Sequence, residues 1–226
     1  MTVARQVQID ELYQRLDAVA ERTGRRRLSE CSGRDPWPQS GVYFFFEPGE
    51  VRSGEDRSRV VRVGTHALTA TSNTKLWTRL RAHRGSTGGR NPGGGNHRGS
   101  IFRLHVGTAL INRDECWEQE AATWGHGSSA SRDVRDSEVE LERAVSAHIG
   151  AMEVVVVAVD DREARGQLER DAIALLSNHS RDQIDPASPD WLGRHADRDD
   201  VRQSGLWNVN HVRDAIPTEA ALGLIV

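Results

Sequence analysis

The 226-residue sequence predicts a small mixed fold of the α/β or α+β class. Residues 41–46 and 59–63 are two runs of β-branched and aromatic side chains joined by a polar loop, which predicts a hairpin. Residues 153–159 contain four consecutive valines, a pattern typical of a strand that is buried on both faces and central in its sheet. Segments with apolar residues at helical spacing precede, separate and follow these strands.

The first helix is predicted at residues 10–23, which carry a stripe of apolar side chains and end at Gly24. Residues 25–38 contain two prolines around a tryptophan, which predicts a linker. The remaining predicted elements are, in chain order, a helix from about 72 to 85, a glycine-rich basic loop at 85–99, a strand at 101–106, a helix at 114–123, a loop at 125–132, helices at 137–149 and 163–176, and a loop-rich tail from 178.

The composition is that of a globular protein. Hydrophobic residues make up 37% and charged residues 28%, and 226 residues are enough for one domain with its own core. No apolar run approaches the roughly 18 residues that span a bilayer, and the first residues lack the apolar core of a signal peptide. We therefore expect a cytoplasmic protein that is not inserted in a membrane.

Several classes of binding site are disfavoured. Cys31 and Cys116 are far apart in the sequence, so neither a disulfide framework nor a cysteine zinc site is predicted. The nine histidines are too scattered for a structural zinc site. Lys75 is the only lysine, and no Gly-Lys-Ser/Thr sequence is present, which excludes a P-loop nucleotide site. The net charge of −3 argues against a protein that coats nucleic acid over its whole surface.

Three groups of residues on the predicted elements could carry chemistry. Tyr43 lies in an apolar strand, where its ordinary role is a core aromatic whose hydroxyl finds a partner. Lys75, Arg79 and His83 are spaced four apart, so they line one side of their helix, as in an anion site or a solvated basic face. Glu169 shares the stripe that its helix buries, so it needs a cation, a metal or a position at the edge of the stripe.

The order of these signals resembles the GIY-YIG nuclease superfamily over residues 40–180. The first motif stands as Gly41-Val42-Tyr43 and the second as Arg62-Val63-Gly64. Arg79-Leu80-Arg81-Ala82-His83 matches the family's helix pattern, Leu168-Glu169 its metal-binding glutamate, and Asn178 its later asparagine. The chain departs from the pattern at the first residue of the second motif, where the family has tyrosine.

The resemblance implies a three-stranded antiparallel sheet flanked by helices, with a long insertion and N- and C-terminal extensions. It divides the chain into an N-terminal helix and linker (1–38), a catalytic domain (39–180) with an insertion at about 85–150, and a C-terminal extension (181–226) packed on the core. It also implies a metal-dependent endonuclease that hydrolyses DNA with Mg²⁺ or Mn²⁺. Restriction-like cutting of double-stranded DNA is the first expectation, because the insertions exceed a bare nuclease core, and a homodimer is compatible with it.

The resemblance further implies a role for each site residue. Glu169 binds the metal, Arg79 holds the scissile phosphate, and Tyr43 accepts a proton from water. Tyrosine is a poor base at neutral pH, so Tyr43 needs Arg62, Arg79 or the metal nearby. His83 is the alternative proton carrier, and Arg62 could instead hold a phosphate.

Polar residues elsewhere are candidates for DNA contact, because their side chains can read bases or hold phosphates. Besides Lys75, they are Arg90, Asn96, His97 and Arg98 in the glycine-rich loop, Asn178 after the glutamate helix, and Asn208, Asn210 and His211 in the tail. Each segment also has an equally good structural explanation. The glycine-rich loop can be a flexible insertion, and the tail residues can belong to a packed corner around Trp207.

Three alternatives stay open. The protein could be a repair-type, structure-specific nuclease, or a catalytically impaired nucleic-acid-binding module, which the missing second tyrosine favours. It could also be a protein of another activity in which Tyr43, Arg79 and Glu169 are structural. Whether these three side chains and His83 line one cleft separates the last alternative from the nuclease.

Overall fold

A four-stranded sheet lies at the centre of the structure, and each strand is antiparallel to its neighbours. The computed structural model describes residues 2–69, 74–86, 94–217 and 220–226. The strand order is β1-β4-β2-β3, with β1 at Arg26–Arg27, β2 at Gly41–Val51, β3 at Ser58–Gly64 and β4 at Glu153–Ala158. The mixed class is as predicted. The sheet has one strand more than the predicted three, because two residues of the predicted linker pair with the start of β4.

Helices cover both faces of this sheet. In chain order they are α1 (Thr2–Thr23), α2 (Leu76–Arg84), α3 (Ile101–Arg113), α4 (Glu118–Ala121), α5 (Arg132–Ser137), α6 (Val139–Ala151), α7 (Arg162–Leu176) and α8 (Asp199–Ser204). Short 3-10 turns lie at residues 28–30, 97–99, 115–117, 192–195 and 221–224. Within the described part of the chain, no helix is both long and apolar enough to cross a lipid bilayer.

The first face of the sheet packs on α1 and α7. Alternate residues of β2, namely Val42, Phe44 and Phe46, lie on this face and are buried. Leu12 and Leu16 of α1 are fully buried against them, as the predicted apolar stripe requires. The helix itself begins at Thr2, eight residues before the predicted start.

The second face packs on α2, α3, α6 and residues 191–207. Tyr43 and Phe45 of β2 lie on this face. In the register of the two strands, Gly64 stands opposite Tyr43 and Arg62 stands opposite Phe45. Arg62 therefore brings a guanidinium into the layer that contains Tyr43 and Phe45.

The predicted strand at residues 101–106 is wrong, because these residues begin α3. Ser100 caps the helix, with its Oγ accepting the N–H of Arg103 at 3.3 Å. Phe102 and Val106 are buried four residues apart, which is helical spacing. A short apolar run is compatible with either element, and here the capping serine and the length of the following segment favour a helix.

The described end of the glycine-rich loop, residues 94–99, packs against α3 and α6. A Cβ on Gly95 would lie 2.3 Å from Cζ of Arg103, so only glycine allows this close approach. Arg103 donates from Nε to Glu142 at 3.0 Å and from Nη1 to the carbonyl oxygen of His83 at 3.0 Å. These contacts fix the last turn of α2, from which His83 reaches the second face.

Candidate active site

Tyr43, His83 and Ser100 form a hydrogen-bonded row beneath the second face of the sheet. The hydroxyl oxygen of Tyr43 lies 2.8 Å from Nε2 of His83, and Nδ1 of His83 lies 2.8 Å from Oγ of Ser100. The three residues are 1%, 0% and 2% exposed, so the row is shielded from bulk water. Strand β2, the last turn of α2 and the start of α3 each contribute one side chain.

Gly64, the last residue of the second motif, allows Tyr43 to take this position. A Cβ at Gly64 would lie 2.4 Å from the hydroxyl oxygen of Tyr43 and 2.5 Å from its Cζ. Any other residue would therefore displace the tyrosine ring or the strand. The glycine of the motif has a steric role that depends on the cross-strand pairing of β2 and β3.

Arg62 stands beside this row and is also buried. Its guanidinium lies 4.6 Å from the ring centroid of Phe102 and donates from Nη1 to the carbonyl oxygen of Trp207 at 2.5 Å. Burial lowers the pKa of Arg62, and the negative charge that Tyr43 and Glu169 can carry acts in the opposite direction. Its Nε has no hydrogen-bond partner among the described residues. One donor of this buried cation is thus available beside the site.

Glu169 approaches the same region from α7 and is half-buried. Its Oε1 accepts the N–H of Thr65 at 3.1 Å, and Thr65 Oγ1 donates to the carbonyl oxygen of Gly41 at 2.8 Å. Thr65 thereby ties the glutamate to the first motif. Burial raises the pKa of Glu169, whereas the charge of Arg62, the hydrogen bond from Thr65 and the charges of His211 and Arg79 oppose the rise.

Arg79 completes the group from the middle of α2, where it is partly exposed. Its Nη1 lies 3.5 Å from the carbonyl oxygen of Gly99. Its charge also acts on the pKa values of Arg62, His83 and Glu169. The five predicted catalytic residues therefore form one connected group of hydrogen bonds and mutual charge effects.

His66 adjoins this group and was not among the sequence candidates. Its Nδ1 lies 2.6 Å from the carbonyl oxygen of Thr74, which can only accept, so Nδ1 carries a proton. Burial lowers the pKa of His66, and the charges of Arg165 and Arg79 act in the same direction. Its other ring nitrogen, Nε2, has no hydrogen-bond partner among the described residues.

Ser100, Thr65 and His66 were therefore missed by sequence reasoning. Thr65 and His66 directly follow the second motif, so their position was a usable signal. Ser100 offered a different signal, since a serine before an apolar run is typical of a helix start. The erroneous strand at 101–106 concealed it.

Three candidates for DNA contact in the glycine-rich loop lie outside this group. Both Nη atoms of Arg98 donate to Glu138, at 2.6 and 2.8 Å, and both side chains are buried. His97 lies 3.0 Å from Glu142 through Nδ1, and Asn96 caps the short turn by accepting the N–H of Arg98. Each side chain therefore has a structural partner, and DNA contact by them stays a prediction. Arg90 lies outside the described residues.

The tail candidates divide into buried and exposed side chains. Asn208 pairs with the backbone of Val63 through both amide atoms, at 2.8 and 3.1 Å, and Asn178 pairs in the same way with Ile184, at 2.9 Å each. Both asparagines are buried and hold backbone segments together.

Asn210 and Lys75 are exposed, so both are accessible to a large ligand. His211 is partly exposed and lies 2.8 Å from Asp214, and its charge reaches Glu169. Among the tail candidates, His211 is therefore the one whose charge acts on the pKa of Glu169.

No cluster of three or more histidine, cysteine, aspartate or glutamate side chains suited to a metal occurs among the residues the structure describes. A family model described as GIY-YIG domain matches residues 3–224. No curated protein and no solved structure matches the chain.

Proposed function

The chain belongs to the GIY-YIG family, whose members are nucleases, and we propose that it is a metal-dependent endonuclease that hydrolyses phosphodiester bonds in double-stranded DNA. The observation that carries the proposal is the convergence of Tyr43, Arg62, Arg79 and Glu169 from four different elements. Hydrolysis of a phosphodiester requires a proton acceptor for water, cations for the phosphate oxygens and stabilisation of the leaving oxygen. Each requirement has a candidate in this group.

Arg79 is the candidate for the scissile phosphate, because it is a partly exposed cation. Its contact in the structure is a backbone carbonyl at 3.5 Å, which a phosphate oxygen would readily replace. Arg62 is more deeply buried than Arg79, so its positive charge would stabilise the phosphate or Tyr43 from the protein interior. Two guanidinium groups then flank the place where negative charge develops.

Tyr43 is the candidate proton acceptor, with His83 as its partner. In a balanced step the O–H bond of water breaks as a new O–H bond forms on Tyr43, and the phenolic proton of Tyr43 moves to Nε2 of His83. Hydroxide attacks phosphorus, and the bond to the leaving oxygen breaks. Burial lowers the pKa of His83 well below its ordinary value, with Arg62, Arg79 and Arg103 acting in the same direction. The negative charge of a bound phosphodiester offsets these three cations and makes the transfer easier.

Glu169 is the candidate ligand of the metal. GIY-YIG nucleases generally use divalent metals, and Mg²⁺ commonly binds through one or two carboxylates together with substrate phosphate and water. The residues fit such an ion. A carboxylate accepts several partners, so Glu169 can bind a cation while its Oε1 accepts the N–H of Thr65, and its side chain is half-buried at the edge of the group. A bound Mg²⁺ or Mn²⁺ would supply charge stabilisation for the phosphate and the leaving oxygen.

The substrate is expected to approach from the side of Arg79, Lys75 and Glu169, since Tyr43 is only 1% exposed. Asn210 and His211 lie in the tail, and the charge of His211 reaches Glu169, so the tail is the first candidate for a second DNA contact. Sequence-specific recognition, a cytoplasmic location and a homodimer that cuts both strands are parts of the same proposal.

Plasmid cleavage with matched variants tests the nuclease. Arg79→Ala, Glu169→Gln and Tyr43→Phe should each lower the single-turnover rate by about 10² or more. The matched controls are the exposed Arg81→Ala on the same helix, the exposed Glu163→Gln on α7 and Tyr13→Phe, the other tyrosine, and these should cut normally. Addition of EDTA should abolish cutting and Mg²⁺ or Mn²⁺ should restore it. Undiminished cutting by the Glu169 variant would contradict the proposal.

Arg62 in place of the second tyrosine favours one alternative, a nucleic-acid-binding module with impaired catalysis. That protein would bind DNA and lose affinity in Arg79→Ala, but it would show no metal-dependent cleavage. An Arg62→Tyr variant discriminates further, because gain of cutting only in that variant would support the alternative. Preference for branched or nicked substrates over intact duplex would instead favour a repair-type, structure-specific nuclease.

A further inference from the structure

We propose that the open edge of strand β4 is a docking site for an extended peptide segment of a partner protein. The segment pairs with β4 and continues the line that β1 begins along this edge. The partner is defined by its chemistry: an extended backbone with alternate β-branched apolar side chains and an acidic side chain among them. This role is separate from the proposed nuclease activity and does not depend on it.

The hydrogen bonds at the two ends of β4 show which backbone groups face outward. In an antiparallel sheet, successive residues of a strand direct their N–H and C=O groups to opposite neighbours. The N–H of Val159 donates to the carbonyl oxygen of Ser40 at 3.3 Å, on the side of β2. The carbonyl oxygen of Met152 accepts the N–H of Leu28 at 2.9 Å, on the side of β1. The even-numbered residues of β4 therefore direct their backbone groups away from β2.

Strand β1 covers only the beginning of this outer edge. It pairs with the first two residues of β4, and among the described residues no other strand lies on this side. Gly24 keeps β1 short, because it ends α1 with φ +85° and its N–H donates to the carbonyl oxygen of Ala20 at 2.8 Å. The outward backbone groups of Val156 and Ala158 are therefore left without a partner strand, as in a template for strand addition.

A groove of about 530 Å³ runs beside these backbone groups and has a wall on each side. One wall is the last turn of α1 with Val19 and Thr23, and α1 packs on the first face of the sheet. The other wall is residues 36–38, where Trp37 packs with the second face. A single extended segment can enter between the walls. A second copy of this chain is disfavoured, because its own β4 edge lies between the same two walls.

The side chains that line the groove indicate the composition of the segment. Most of them are valine, alanine, proline or tryptophan, which suits β-branched apolar residues on the incoming strand. Two arginines also line the groove. Arg26 pairs with Asp35 at 3.3 Å, whereas Arg22 is exposed and has no ion pair among the described residues. Arg22 therefore favours an acidic side chain on the segment.

Fluorescence anisotropy with the labelled peptide acetyl-TVEVTV-amide tests the docking. The matched control is the same peptide with every backbone amide N-methylated, which keeps the side chains and removes the donors. The methylated peptide should bind at least about tenfold more weakly, because its hydrogen bonds to β4 are lost. Ala158→Pro removes one outward N–H and leaves the pairing with β2, so it should weaken binding of the unmethylated peptide by a similar factor and unfold near the wild-type temperature.

A charge exchange tests the role of Arg22. Arg22→Glu should bind acetyl-TVEVTV-amide more weakly than wild type does and should bind acetyl-TVKVTV-amide more tightly, by about threefold or more in each case. The control is Arg132→Glu at a distant exposed position, which should bind both peptides as wild type does. An unchanged preference in Arg22→Glu would overturn the expected acidic partner.

Hydrogen exchange followed by ¹H–¹⁵N spectra locates the peptide on the protein. In the free protein the amides of Val156 and Ala158 should exchange faster than those of Val155 and Val157, which donate to β2. The peptide should slow the exchange of Val156 and Ala158 and leave their two neighbours unchanged. If all four amides exchange equally slowly in the free protein, the edge is already covered and the proposal is wrong.

Three further outcomes would overturn the proposal: no binding of acetyl-TVEVTV-amide, equal binding of its methylated form, or protection of the same amides by raised protein concentration alone, which would make a second copy the occupant. None of these needs a variant, so a failure of Ala158→Pro to fold leaves the proposal falsifiable. DNA cleavage does not enter these measurements, so they distinguish a failure of docking from a failure of the nuclease proposal.

Discussion

The two faces of the sheet are built from alternate residues of the same strand, yet they differ in kind. On the first face Val42, Phe44 and Phe46 pack on apolar side chains of α1 and α7. On the second face Tyr43 and the residues around it bury hydroxyl, imidazole and guanidinium groups that form hydrogen bonds with one another and with backbone carbonyls. The first face is stabilised by the apolar surface area that it buries, whereas the stability of the second face depends on each buried polar group keeping its hydrogen-bond partner.

The largest expected effect comes from breaking a buried ion pair on the second face. Arg103→Ala leaves the carboxylate of Glu142 buried without its guanidinium, which should lower the free energy of unfolding by about 3–5 kcal/mol. Urea denaturation monitored by tryptophan fluorescence measures it. Arg132→Ala is the control, since its pair with Asp136 is 86% and 65% exposed and should contribute about 0–1 kcal/mol. Equal effects of the two variants would remove the distinction between buried and exposed pairs.

Substitutions at two neighbouring residues of β2 should have different effects on stability and on cleavage. Phe44→Ala should cost about 3–5 kcal/mol of stability and leave the cleavage rate of the folded fraction near wild type. Tyr43→Phe should cost about 1–3 kcal/mol, because Nε2 of His83 loses its partner, and should lower cleavage by about 10² or more. Unfolding curves and single-turnover cleavage at low temperature measure the two quantities. A comparable loss of cleavage in both variants would show that the first face is also part of the site.

Glu47 gives the second face a pH dependence. Its carboxylate accepts the indole N–H groups of Trp191 and Trp207 at 3.0 and 2.9 Å and lies 2.9 Å from Nε2 of His148. Burial acts to raise the pKa of Glu47, but the nearby His148 and the two indole N–H groups outweigh it and hold the pKa below its ordinary value.

A carboxylate with a lowered pKa in the folded state stabilises the protein above its ordinary pKa and loses this contribution as pH falls through the folded value. Stability should therefore decline below about pH 4.5. Glu47→Gln should be less stable at pH 7 by about 1–3 kcal/mol, and its free energy of unfolding should change less between pH 7 and pH 3. Thermal unfolding from pH 3 to pH 7 measures both proteins, and parallel curves would exclude Glu47 as the source.

The smallest expected effect is at the rim of the second face. Lys75 is exposed, so Lys75→Ala should change stability by less than about 0.5 kcal/mol. If Lys75 contacts a phosphate, the slope of log affinity for DNA against log salt should become shallower by about 0.9. The exposed Arg132→Ala serves again as the control, and an unchanged slope in Lys75→Ala would remove this residue from the DNA interface.

Sequence reasoning predicted the elements with strong local signals. The four valines of β4 and the stripe of α7 were read correctly, because burial on fixed faces imposes a period on the sequence. It failed at residues 101–106, where a short apolar run is compatible with a strand or a helix. It also missed β1, because two arginines carry no strand signal and pair only since Glu153 and Val154 lie beside them.

The candidate site residues differ in how far the sequence could place them. Tyr43, Arg79 and Glu169 stand in short motifs, so their order along the chain was enough to propose them as one group, and their catalytic roles stay a prediction. The partners of Arg98 and Asn178 could not be predicted, because Glu138 and Ile184 are recognised as partners only once the helices are packed. For the same reason the sequence could not show that Arg98, which seemed suited to phosphate, pairs with the carboxylate of Glu138.

The sequence by itself determined the class of the fold, the family and the residues that can do acid–base and phosphate chemistry, because residue type and local spacing are written along the chain. Only the tertiary structure decided which of them meet. Gly64 makes room for Tyr43, Arg103 fixes the end of α2, and Ser100 faces His83, although these residues come from separate elements. Hydrogen bonds and excluded volume act over a few ångströms in space, and distance along the chain does not specify that proximity.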